Sequence, residues 1–350
     1  MIKIGNIRNF INNNVWRILK INIKEWVLGN EQQFIMCIVL IILVIIFTIL
    51  NPVFITKANI LNIIRLVSIT GITAMGMTLV IISGGIDLSV GSIFALSGVI
   101  STGLLGTSYT ESSFAHIISL PVPLAIIIGI LVGVILGSIN GLIISKTKIP
   151  PFVATLGMMS FIRGLVYLYT HGYPITFNEL PTLFGWVGGG YILTIPTAVI
   201  IFLIVIIICW FILNFTNLGR SIFAVGGNSS AARMSGINVD KIYLISYSIL
   251  GCLAAISGII MASRTASGSP IAGQGFEFDA ITAVILGGTS LRGGRGSLFG
   301  TIIGVLIMGT LITGLNIIGV QAYYQWIVKG LALILAVSLD TYIRRRRRNY

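Results

Sequence analysis

Apolar residues in this chain do not alternate with polar ones. They come in long runs separated by short polar or glycine-rich connections, at 34–50, 61–82, 90–106, 120–144, 150–170, 192–215, 242–263, 278–290, 297–317 and 325–341. About twenty apolar residues, rising 1.5 Å each, cross the roughly 30 Å hydrocarbon core of a bilayer. The pattern therefore predicts an all-α polytopic membrane protein with about ten transmembrane helices. The run at 278–290 is short, and reads as a re-entrant or broken element lining a cavity.

Composition agrees: 56% of residues are hydrophobic, only 9% are charged and the mean hydropathy is +1.03, against roughly 25% charged in soluble domains. The net charge of +13 suggests nucleic acid until the basic residues are located. Lys3, Arg8, Arg17, Lys20 and Lys24 precede the first run, and Arg344 to Arg348 follow the last. Lys146, Lys148, Arg220, Arg233, Lys241, Arg292 and Arg295 fall on alternate connections. With both termini cytoplasmic, about 17 of the 22 basic residues lie inside, and Lys57, Arg65 and Arg264 lie on or near outward connections. This is the positive-inside bias, which sets orientation and gives no case for a nucleic-acid partner.

The chain then divides into a basic N-terminal cytoplasmic or interfacial segment (1–33), a transmembrane domain (34–343) and a basic cytoplasmic tail (344–350). The first segment carries Phe10, Val15, Trp16, Ile18, Leu19 and Trp26 among its cations. It either lies in the membrane interface or forms a disordered basic tail. No small-residue cleavage site flanks the first apolar run, so that run is expected to stay as a helix.

Few residues carry chemistry. Cys37, Cys209 and Cys252 sit inside apolar runs, where a thiol behaves as a small hydrophobe, so neither a disulfide nor a metal site is expected. Glu111, His116, His171 and Glu179 occupy outward connections and read either as solvated loops or as surface facing a second partner. The two histidines lack metal-ligand spacing. Gly129, Gly133, Gly137 and Gly141 recur every fourth residue and share one helical face, where small residues let a second helix approach closely in lipid.

The phrase SGGIDLSVGS at 83–92 joins two runs and contains Asp87 and Ser89. A carboxylate at membrane depth is costly unless it faces water or a partner, so Asp87 is either a pathway residue or a helix cap. LGGTSLRGGRGS at 286–297 joins two later runs with arginines in place of the acid, a hint of internal repetition. It lacks the lysine followed by Ser or Thr that a nucleotide-binding loop needs, so the chain has no ATP site of its own and no cofactor is expected. Glu277 and Asp279 stand at the outer start of the short run. They either accept hydrogen bonds from sugar hydroxyls or favour a helix N-terminus. No nucleophile and base share a suitable spacing, which gives no case for an enzyme.

The connection at 216–241, TNLGRSIFAVGGNSSAARMSGINVDK, is the longest expected inside. Its centre, Ser229 to Ser235, is opened by Gly226, Gly227 and Asn228 and stopped by Gly236. It reads either as a solvated loop or as a short helix outside the bilayer, with Ala231 and Ala232 small enough to seat in a groove on another protein.

At these residues the chain resembles the permease subunits of ribose-type monosaccharide importers of the ATP-binding-cassette class. The matching phrases are GMTLVIISGGIDLSVGS at 76–92, ATLGMMSFIRG at 154–164, FAVGGNSSAARMSGINVDKI at 223–242 and FDAITAVILGGTSLRGGRGS at 278–297. The resemblance covers roughly residues 50 to 340 and implies a multi-pass protein of the bacterial inner membrane. It further implies a homodimer, a cytoplasmic ATP-binding-cassette ATPase and an extracytoplasmic sugar-binding protein. By the same resemblance, Gly219, Arg220, Gly226, Gly227, Asn228, Ala231, Ala232, Arg233 and Gly236 belong to the segment that docks on the ATPase. The long basic N-terminus and the five terminal arginines depart from the family pattern. Ribose is the first expectation for the cargo, with galactose, xylose or arabinose as alternatives. The rival class is an ion-coupled secondary transporter, for which Asp87 is the obvious intramembrane acid and the long cytoplasmic connection has no use.

Overall fold

In a computed structural model of the chain, residues 31–106, 119–177 and 179–348 are described. The expectations for residues 1–30, Glu111 and His116 fall outside them. Among the described residues thirteen α-helices follow one another: α1 (Glu31–Leu50), α2 (Lys57–Ile82), α3 (Val90–Gly103), α4 (Val122–Thr147), α5 (Pro151–Thr170), α6 (Thr182–Gly189), α7 (Thr197–Phe215), α8 (Asn217–Gly227), α9 (Ser229–Met234), α10 (Val239–Thr265), α11 (Phe276–Leu286), α12 (Leu298–Ile317) and α13 (Ala322–Arg348). Four two-residue strands form two small ribbons, Ile175–Thr176 with Ser267–Gly268 and Tyr191–Ile192 with Ile195–Pro196.

Seven of the described helices, α1, α2, α4, α5, α7, α10 and α12, are long and apolar enough to cross a membrane, and Val90–Gly103 and Ala322–Ser338 are shorter apolar stretches. The protein is thus an all-α polytopic membrane protein. The run at 278–290 becomes the 11-residue α11, about 16 Å long and roughly half the hydrocarbon thickness. The 14-residue α3 is short as well. Both abut glycine-rich turns.

Buried α10 packs against α2, α3, α4 and α6, and α12 packs against α1, α2 and α11. Hydroxyls join the spans: Thr73 Oγ1 donates to Ser257 Oγ at 2.9 Å, Thr78 and Thr301 hydroxyls meet at 2.8 Å, and Ser138 and Ser248 at 2.7 Å. Between helices in lipid, where burial of apolar surface gives no drive to associate, such bonds and close packing hold the bundle. The glycine stripe of α4 does the latter. A Cβ at Gly133 would sit 2.5 Å from Ala255 Cβ, one at Gly137 would strike the Tyr247 carbonyl, one at Gly141 would lie 2.7 Å from Leu244 Cα, and one at Gly129 would strike Ser101 Oγ.

Candidate functional site

Three glycine-rich segments, distant in sequence, meet at one end of α2. The last residue of that helix, Ile82, offers its carbonyl to the Gly294 amide at 2.8 Å. Gly226, in the last turn of α8, fills the space beside them: a Cβ there would collide with the Ile82 carbonyl oxygen and stand 2.6 Å from the Gly294 nitrogen. Gly84 and Gly293 adopt φ of 88° and 80°, a left-handed backbone that glycine enters without a side-chain clash. A Cβ at Gly293 would lie 2.8 Å from the Gly226 oxygen and 2.9 Å from Gly84 Cα. The turn before α3, the end of α8 and the turn after α11 are therefore in backbone contact.

The connection at 216–241, read from the sequence as either a solvated loop or one short helix, holds two helices, α8 and α9. Thr216 caps α8 by accepting from the Gly219 amide at 3.2 Å. Ile222 and Val225 are buried, and α8 packs against α2, α7, α9 and α10. The Arg220 guanidinium donates to Asn217 Oδ1. Asn228 caps α9 through the Ala231 amide at 3.0 Å, and Gly236, at φ 84°, follows it. Ala231 faces solvent and so does Met234, which is 90% exposed. Ala232 does not: it is buried inside its own chain, so of the two alanines only Ala231 is presented outward. Arg233 pairs with Asp240 at 2.9 Å.

Asp87 is fully enclosed. Its Oδ1 accepts from the Ser89 amide and hydroxyl, each at 2.7 Å, and its Oδ2 accepts from Asn140 Nδ2 at 3.1 Å. Asn140 also donates to Ser89 Oγ at 2.8 Å, and Tyr247 Oη donates to the Ile86 carbonyl at 3.0 Å. The carboxylate thus shapes the turn before α3 and ties it to α4, while no side chain caps α3 itself.

Glu277 and Asp279 occupy the first turn of α11 and are both buried. Asp279 Oδ2 pairs with Lys329 of α13 at 2.7 Å, while its Oδ1 has no hydrogen-bond partner. Glu277 lies near Arg163 and close against Gly91. Arg163 reaches from α5 to the Pro270 and Ala272 carbonyls at 2.7 and 2.9 Å and to the Gly91 carbonyl at 3.3 Å. Asn140, Tyr247, Arg163 and Lys329 were not singled out from the sequence. Arg163 and Lys329 carried a usable signal, being charges inside apolar runs.

A family model described as the permease component of branched-chain amino acid transport systems matches residues 59–337. The chain belongs to this family of transport-system permease components. Among its relatives, the ribose import permease protein of Bacillus subtilis strain 168 is 51% identical over 303 residues, covering 86% of this chain and 90% of that one. The ribose import permease protein of Escherichia coli K12 is 45% identical over 319 residues, covering 91% and 95%. The D-allose transport system permease protein of Escherichia coli K12 is 39% identical over 311 residues, covering 88% and 91%. No solved structure matches the chain.

Proposed function

We propose that the chain is the permease subunit of an ATP-binding-cassette importer that carries ribose across the bacterial inner membrane. It has no nucleotide loop, so ATP acts through a separate cytoplasmic ATPase, and an extracytoplasmic binding protein delivers the sugar. Two copies of the chain form the membrane unit, each with ten crossings and both termini cytoplasmic, as the distribution of basic residues favours. Ribose is preferred over related sugars because the ribose permeases are more similar to this chain than the D-allose permease is.

The observation that carries the mechanism is the backbone junction of Ile82, Gly226 and Gly294. Helices α8 and α9 form the cytoplasmic element that the ATPase grips, with Ala231 and Met234 outward. A push on α9 passes through the end of α8 directly to the last turn of α2 and the turn before α12, with no flexible side chain between. Rigid-body rocking of packed helices is a usual response to such a load. Arg233, Arg220, the capping residues Thr216 and Asn228, and Gly219, whose amide Thr216 accepts, hold the element in shape, and the turn built by Asp87 and Ser89 is one of the parts it moves.

Replacing Ala231 with Trp tests this directly. The bulky ring is expected to stop copurification of the ATPase and to abolish sugar uptake, while thermal stability of the solubilised permease is unchanged because Ala231 is exposed. Retained docking and uptake in Ala231→Trp would place the coupling contact elsewhere.

A further inference from the structure

The segment at 266–275, between α10 and α11, lies across α3 as a strap. Helix α10 starts just after α9 and runs for 27 residues, about 40 Å at 1.5 Å each. The strap therefore sits at the end of the bundle away from α8 and α9. Its first residues, Ser267 and Gly268, pair with Thr176 and Ile175. Further along, backbone meets backbone: a Cβ at Gly91 would strike the Gly273 carbonyl, and one at Gly273 would strike that of Gly91. Gly273 and Gly275 hold φ of 70° and 75°, a conformation that glycine enters without a side-chain clash.

A single side chain reaches across to fasten this segment. Arg163 of α5 donates to the Pro270 and Ala272 carbonyls of the strap and to the Gly91 carbonyl of α3, with the buried Glu277 nearby. A cation within a span is costly, and an apolar residue would pack α5 against α3 without that cost. What the guanidinium adds is a rigid fork of donors that joins two elements at once. Beneath the strap is a cavity of about 330 Å³, bordered by Phe94, Ala95 and Gly98 of α3, Met261 of α10, and Ser269 and Ile271 of the strap itself. Close-packed interiors resist movement, whereas a segment laid over a cavity has room to shift. The strap leads directly into α11, and the far end of α11 runs into the glycine turn that contacts Ile82 and Gly226.

We infer that Arg163 is a positioning residue for transport: it holds the 266–275 strap closed over α3 at rest, and the strap lifts from Ala95 when the load from the ATPase arrives through α11. The ribbon at Ser267 and Thr176 is the hinge, and the end held by Arg163 is the part that moves. This rests on the importer reading above and assigns the outer closure of the sugar path to one segment and one residue.

The test uses the permease–ATPase complex in lipid nanodiscs, in a chain lacking Cys37, Cys209 and Cys252, with the buried Ala95 replaced by Cys as a reporter. A water-soluble thiosulfonate reagent is expected to label Ala95→Cys slowly at rest, and at least tenfold faster when ATP and ribose-loaded binding protein are supplied together. Adding Arg163→Gln should give the fast rate at rest, without ATP. Arg163→Lys, which keeps the charge beside Glu277, should restore slow labelling in part. In proteoliposomes, ribose imported per ATP hydrolysed should fall at least threefold in Arg163→Gln. A residue that only braced the fold would leave position 95 covered throughout turnover. Labelling that does not rise while ribose import proceeds would overturn the inference, and so would a resting rate in the Arg163→Gln protein within twofold of its parent. If the wild-type complex imports no ribose when given ATP and the binding protein, the importer reading itself fails. If wild type imports ribose and either overturning result is found, only this inference fails.

Discussion

The Gly294 amide donates to the carbonyl of Ile82 at 2.8 Å, tying the glycine-rich turn after α11 to the final residue of α2. Gly226 completes this contact because any side chain on it would enter the space of both partners.

Gly226→Ala is therefore expected to impair uptake by at least tenfold and to lower thermal stability, since overpacking a close contact typically costs about 1–3 kcal/mol. Its neighbour is the control: a Cβ on Gly227 meets nothing within 4 Å, so Gly227→Ala should transport at close to the wild-type rate. Uptake assays and melting curves on the pair separate the two positions. Equal effects would show that the contact with Ile82 is not what matters.

The turn before α3 depends on Asp87. Asp87→Ala removes the acceptor for the Ser89 amide, the Ser89 hydroxyl and Asn140, and leaving one buried donor unmatched costs about 1–3 kcal/mol. A clear fall in melting temperature is expected together with loss of uptake. Asp87→Asn keeps an oxygen toward Ser89 and should be milder on both. A variant that melts like wild type yet fails to transport would mark Asp87 as a residue of the sugar path.

Much of this architecture was legible in the sequence. Spans show as long apolar runs because lipid demands that a crossing helix be continuous and apolar, and the run at 278–290, the shortest of them, gives the short α11. The glycine junction was not legible. Its contacts are between backbone atoms of residues far apart in the chain, and each glycine phrase alone reads only as a turn. Helix α8 was hidden for a related reason. Gly219, Gly226 and Gly227 weaken local helix preference, and burial of Ile222 and Val225 against the spans overrides it. Asn140 carries no sequence signal, because a lone amide beside the regularly spaced Gly137 and Gly141 gains its role only from Asp87 and Ser89, which lie far away in the chain.

That stripe makes its own forecast. Gly137→Leu should sharply reduce the amount of folded permease recovered from membranes, because the Tyr247 backbone occupies the place of the new side chain. Gly164→Leu, on α5 where a Cβ meets nothing within 4 Å, should be recovered in normal yield. Size-exclusion profiles of the two proteins give the comparison. A well-assembled Gly137→Leu protein with altered sugar preference would instead place this face on the pathway.

Orientation can be read by labelling. Ser229, exposed at the start of α9, replaced by Cys in a chain lacking Cys37, Cys209 and Cys252, is expected to resist an impermeant thiol reagent in intact cells and to react after lysis. Reaction in intact cells would reverse the assigned sidedness.

The most direct measurement is ribose uptake into proteoliposomes that contain the permease and its ATPase, with ribose-loaded binding protein outside. Uptake is expected to require both ATP in the ATPase compartment and the binding protein, and to cease when either is withheld. Ribose entry driven by an ion gradient alone, with the ATPase absent, would contradict the importer reading and favour an ion-coupled carrier.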